Sequence, residues 1–110
     1  MNWIPLTTSD QIQHIESDRK NQLIVIFKHS TRCSISSMIL HRLEREKAPQ
    51  NIDFYFLDLI KHRDLSHSIA EQFAVHHESP QLLLIQNGEC IYTESHNGIS
   101  MHALIAEVSK

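Results

Sequence analysis

Apolar runs with no polar interruption alternate along this chain with stretches whose apolar residues recur every three or four positions. Thr8-Ser9-Asp10-Gln11 reads as a capping box, a hydroxyl at the N-cap and an amide side chain three residues on, and Ile12 and Ile15 follow at helical spacing. A short first helix to about Lys20 is predicted. Leu23-Ile24-Val25-Ile26-Phe27 is a β-branched run without alternation, the pattern of a central strand covered on both faces. From Ser34, residues Ile35, Ile39 and Leu43 recur every four positions. Arg42, Glu44, Arg45, Glu46 and Lys47 crowd the other side, so an amphipathic helix should end before Pro49. Ile52 to Leu59 reads as a second buried strand, and Leu65, Ile69 and Phe73 mark a third helix. Leu82 to Ile85 forms a further strand. Asn87-Gly88, the strongest short hairpin signal, turns it into Ile91-Tyr92-Thr93, so the last two strands should be antiparallel neighbours. Met101, Leu104, Ile105 and Val108 belong to a closing helix, and Trp3-Ile4 to a stub strand.

The order is therefore α-β-α-β-α-β-β-α, with right-handed parallel crossovers. It predicts an α/β fold, a central mixed sheet with helices on both faces. At 110 residues the chain is one domain, 1–110. Composition changes that picture little: 41% hydrophobic and 21% charged residues, with only two Gly and three Pro, exclude disordered and collagenous chains. Charge narrows the partners. Ten basic against thirteen acidic residues leave −3, with no basic field for nucleic acid. No apolar run approaches the ~18 residues of a membrane span and no secretory signal is visible, so a cytoplasmic location away from membranes is expected. Cys33 and Cys90 are too few for a disulfide framework or a four-thiolate zinc site.

Cys33 carries the chemistry. In Phe27-Lys28-His29-Ser30-Thr31-Arg32-Cys33-Ser34-Ile35-Ser36 a buried strand ends, a polar loop follows, and the cysteine stands where a helix begins. Unpaired N–H groups and the positive end of the helix dipole converge there and favour thiolate over thiol. His29 and Arg32 are candidates for added positive charge near the sulfur. Ser34 and Ser36 are candidate hydroxyl donors toward it. Three residues after Cys33 stands Ser36 instead of a second cysteine, so the sulfur can attack a mixed disulfide and carry the displaced thiol, but cannot close a local disulfide. Monothiol exchange is expected.

A cysteine at the first strand-to-helix junction, together with Pro80 opening the third long strand, is the layout of the thioredoxin fold. In that layout Pro80 sits opposite the cysteine, and the backbone of Ser79 pairs with an extended substrate. The resemblance is closer than fold level. His29-Ser30-Thr31-x-Cys33-x-Ile35-Ser36, Leu59-Ile60-Lys61-His62-Arg63-Asp64-Leu65-Ser66 and His77-Glu78-Ser79-Pro80-Gln81-x-Leu83-Leu84-Ile85-x-Asn87-Gly88 are similar to the YtxJ-type bacilliredoxins, over nearly the whole chain. That family is thioredoxin-like, bacterial and cytosolic. It is associated with bacillithiol, a low-molecular-weight thiol used in place of glutathione. The resemblance implies that Cys33 attacks a bacillithiolated protein, takes up bacillithiol as a mixed disulfide and is recycled by a second thiol. Thr31, Ser79 and Pro80 would bind the substrate, bacillithiol would be a co-substrate and there would be no separate cofactor. The chain departs from the family motif Thr-Cys-Pro-Ile-Ser at two points, with Arg32 before the cysteine and Ser34 where the family has proline.

Other features have plainer readings. Cys90 follows the hairpin turn, and a structural strand residue is weighed above a distant resolving thiol. Nine histidines are many for this length, but most fall on expected surfaces, and His76, His77, His29 and Cys33 lack ligand spacing, so no metal is expected. The Cys-Gly-Phe-Ser loop of cluster-binding monothiol glutaredoxins is absent. Asp58, at the end of the second long strand, fits capping better than proton transfer. Two functions fit the fold: a monothiol thiol–disulfide oxidoreductase, or a non-catalytic stress or interaction module binding a protein partner in the groove near Cys33 and Pro80.

Overall fold

The computed structural model describes residues 1–110 as β1 (Trp3–Pro5), α1 (Ser9–Ser17), β2 (Leu23–His29), α2 (Ser34–Arg45), β3 (Ile52–Asp58), α3 (Arg63–Gln72), β4 (Gln81–Gln86), β5 (Glu89–Ser95), a 3-10 turn (His96–Gly98) and α4 (Met101–Val108). The sheet order is β1-β3-β2-β4-β5. β1, β3 and β2 run parallel, and β4 and β5 are antiparallel to their neighbours. The expected mixed sheet is present.

Strand periodicity sorts the core into two layers. Val25 and Phe27 of β2 pack with Ile39 and Leu43 of α2 and Leu104 of α4. Ile24 and Ile26 pack on the opposite face with Ile12 and Ile15 of α1 and Ile69 of α3. Ile26, Leu83 and Leu84 expose none of their surface, and each such side chain contributes roughly 1.5–3 kcal/mol by leaving water. Local signals start the helices: the Thr8–Gln11 capping box forms, and Ser100 Oγ accepts from the Ala103 N–H at 3.0 Å.

Several boundaries and faces differ from the expectation. α1 stops at Ser17, because Asp18 turns extended and its carboxylate accepts from the Lys20 N–H at 3.2 Å. Phe73 caps α3 rather than lying within it. β2 runs two residues past the apolar run, since Lys28 and His29 still pair with Leu57 and Asp58 of β3. In α2 the buried stripe is Ser36, Ile39 and Leu43, while Ile35 is 40% exposed. The same substitution of serine for the expected apolar residue occurs in α3, where Ser66 is buried and Leu65 only partly so. Both serines meet polar groups that end β2.

Candidate active site

Cys33 is the N-cap of α2, with φ −113° and ψ 117° and no side-chain hydrogen bond of the capping kind. The loop that delivers it is short. Ser30 is buried, its carbonyl accepts from the Cys33 N–H at 3.2 Å, and the Cys33 carbonyl takes the first helical bond, from the Ser37 N–H, at 3.1 Å. The N–H groups of Ser34, Ile35 and Ser36 make no hydrogen bond within the chain, and no acidic residue occupies the first turn. Positive potential at this helix end is thus unneutralised beside a half-exposed thiol. Thr31, Arg32 and Ser34 are exposed, and the Arg32 guanidinium holds no ion pair.

His29 and Ser36 take roles other than those expected. His29 is 5% exposed and tilted against Phe56, and burial holds its imidazole below the ordinary 6.5 despite the opposing charges of Asp58 and Glu44. It is a neutral ring at pH 7, so it adds no positive charge near the sulfur. Ser36 exposes none of its surface; its Oγ accepts from the Ser30 N–H at 3.0 Å and shares a 2.8 Å hydrogen bond with His29 Nδ1. The hydroxyl is engaged with the end of β2, and no hydrogen bond joins it to the Cys33 sulfur. Instead of donating to the thiolate, the pair latches the first turn of α2 onto the strand that delivers Cys33.

Neighbouring strands bring the second landmark to the same end. Lys28 lies opposite Gln81 in the antiparallel β2–β4 pair, so the loop after β2 and the loop before β4 share one edge of the sheet. The Ser79–Pro80 peptide is cis, Pro80 is buried, and its carbonyl accepts from the His96 N–H at 3.1 Å. Ser79 Oγ is buried without a partner. Asp58 caps its own turn, accepting from Ile60 N–H at 3.1 Å and Lys61 N–H at 3.3 Å.

Lys28, Ser66, His77 and Gln81 also gather here, and sequence reasoning passed over them as a group. Lys28 exposes nothing, and Nζ donates to the Ser66 carbonyl at 3.2 Å and lies 3.2 Å from His77 Nδ1. Alternation was the available signal: Ile24, Ile26 and Lys28 must share a face. Cys90 is different from Cys33. Its S–H donates to the Tyr92 carbonyl at 3.3 Å, and burial pushes its thiol up. No helix of the chain is long and apolar enough to cross a membrane.

Known structures share this architecture. A solved structure described as a candidate oxidoreductase with a thioredoxin fold is 30% identical, covers 96% of this chain and 92% of its own, and superposes with a TM-score of 0.82. Thioredoxin from Malassezia sympodialis (Mala s 13) is 20% identical, with coverage of 98% and 90% and a TM-score of 0.73. Thioredoxin from Trypanosoma brucei brucei is 14% identical, with 98% and 88% and a TM-score of 0.72. The family model described as monothiol bacilliredoxin BrxC matches residues 4–104. With a thioredoxin fold and a family match over nearly its whole length, this chain belongs to the monothiol bacilliredoxins and is a thiol–disulfide oxidoreductase.

Proposed function

We propose that the protein removes bacillithiol from mixed disulfides on cytosolic proteins, with Cys33 as the nucleophile. The Cys33 thiolate attacks the bacillithiol sulfur of a protein–bacillithiol disulfide; the protein's sulfur leaves as a thiolate and takes up a proton. Cys33 now holds bacillithiol as a mixed disulfide. A second low-molecular-weight thiol attacks that disulfide, frees Cys33 and leaves as a disulfide with bacillithiol, so no other oxidant or reductant is needed. The observation that carries this reading is the half-exposed Cys33 at the α2 N-cap, beside three unpaired N–H groups. They stabilise the attacking thiolate. Ser36, a hydroxyl at the position of a resolving thiol, keeps the chemistry monothiol.

Thr31, exposed in the delivering loop, meets the incoming partner in this reading, and Arg32, exposed beside it, supplies positive charge near the sulfur. Ser79 presents its backbone, and a buried hydroxyl lacking a partner, next to Pro80. The test is incubation with a bacillithiolated protein followed by mass spectrometry. One bacillithiol should appear on Cys33 as the substrate's thiol is freed, and Cys33→Ser should transfer nothing. Modification mainly at Cys90 would overturn the site; no transfer by the wild type would favour the non-catalytic partner-binding module.

A further inference from the structure

Lys28 is the deepest charge in the molecule, and nothing acidic answers it. The chain's ion pairs are Arg19–Glu16, His76–Glu78 and Lys110–Glu107; none includes Lys28, although His76–Glu78 lies in the neighbouring loop. From β3 and β4 the residues opposite Lys28 are Leu57 and Gln81, and neither is charged. α3 brings His67, whose ring centroid is 6.0 Å from that of His77, and the loop before β4 brings His76, His77 and Glu78. Burial pulls the Lys28 amine down to about 8. An unfolded lysine titrates near 10.5, so between the two values the unfolded chain binds more protons and stability rises with pH; below 8 the buried ammonium is a constant cost. A methionine of similar length would carry no such cost.

What Lys28 does hold is the loop. An ammonium has only donors, so His77 Nδ1, 3.2 Å away, must offer its lone pair and keep its proton on Nε2. Ser66 Oγ, also 3.2 Å from Nδ1, can donate to the same atom. Beside it, Gln81 Nε2 donates to the His76 carbonyl at 2.9 Å, and its Oε1 accepts from the Glu78 N–H at 3.4 Å. Residues 76–78 are thereby fixed from two sides, immediately before Ser79–Pro80. We propose that Lys28 is a positioning residue for the disulfide partner: through His77 it sets the turn that presents Ser79 and Pro80, and it acts on partner binding instead of on the sulfur. This rests on the exchange function proposed above.

Lys28→Met separates these roles. At pH 7 transfer of bacillithiol from a protein substrate should slow by about tenfold, the scale on which a misplaced binding element lowers rates, chiefly as a higher KM. Iodoacetamide alkylation of Cys33, which needs no partner segment, should stay within about twofold. The ¹⁵N shift of His77 Nδ1 should move as its charged donor is lost and Ser66 Oγ alone remains, and amide exchange at residues 76–79 should quicken. Wild type taken from pH 7 to 9.5 should show a smaller change in the same direction, as donation from the ammonium weakens to that of a neutral amine, and Lys28→Met should show none. His77→Ala should mimic Lys28→Met without adding to it, whereas His77→Asn, whose Oδ1 can stand in for Nδ1, should recover most of the rate. Wild-type transfer and an unchanged His77 signal in Lys28→Met would overturn the proposal, as would alkylation falling in step with transfer. A wild type that transfers nothing would instead overturn the exchange function, while the nitrogen and amide measurements still judge the hold on the loop.

Discussion

The two faces of the sheet at the end of β2 are built alike and charged differently. Toward α2, His29 meets the buried hydroxyl of Ser36; toward α3, Lys28 meets the carbonyl of the buried Ser66. Adjacent strand residues point to opposite faces, so one dipeptide locks both layers. On the α2 face the latch itself is uncharged, an imidazole and a hydroxyl, and it steadies the element that carries Cys33. On the α3 face a cation sits without a carboxylate and grips the loop that carries Pro80. Polar residues in a strand interior therefore mark here the end at which the thiol and the Ser79–Pro80 turn converge.

Nucleophile replacement should produce the largest effect. Cys33→Ser should reduce bacillithiol transfer to background, whereas Cys90→Ser should leave it unchanged in the same mass-spectrometric assay. Equal losses would mean that the α2 tip is not where exchange happens. Next in size is the contrast between the thiols: at pH 7 Cys33 should be alkylated about tenfold faster than Cys90 or more, because burial raises Cys90 and its S–H is engaged by Tyr92. Peptide mapping after brief iodoacetamide treatment measures this, and unfolding in denaturant should erase it.

The two serines differ by less. Ser36→Ala strips a buried N–H of its acceptor and His29 of its partner, and should cost about 1–3 kcal/mol in urea unfolding. Ser66→Ala keeps the carbonyl that receives Lys28, so about 1 kcal/mol or less is expected. Comparable costs would show that the two latches are equivalent. The smallest effect is in pH dependence. The folded pKa of His29 lies below the unfolded 6.5, so the unfolded chain binds more protons and stability should fall as pH drops through 6.5. His77, also lowered chiefly by burial, adds to that slope. Lys28 acts in the other window, with stability rising from about pH 8 toward 10.5. His29→Asn should reduce only the acid slope, and Lys28→Met should flatten the alkaline rise.

Element order was legible in the sequence because it depends on near neighbours. A β-branched run, a capping box at Thr8 and Asn87-Gly88 act over a few residues, and Asn87 and Gly88 do adopt the positive φ of 53° and 78° that such a turn requires. Cys33 at a strand-to-helix junction, and the lack of a second thiol at position 36, were equally plain, since both concern local order. Which side chains face each other was not. The four-residue spacing of Ile35, Ile39 and Leu43 placed the last two on the buried stripe and missed at its first member, where Ser36 is buried instead of Ile35, because Ser36 satisfies a backbone N–H and an imidazole that lie seven or fewer residues away in sequence but across a strand-to-helix turn. The protonation of His29 and Lys28 follows from desolvation by layers built of distant segments, and His77 reaches Lys28 only through the pairing of β2 with β4. Local chemistry determined the elements and the place of Cys33 at a strand-to-helix junction; burial and alignment of remote chain decided the charge states and the latches around it, since both depend on the dielectric and the partners that only the assembled fold supplies.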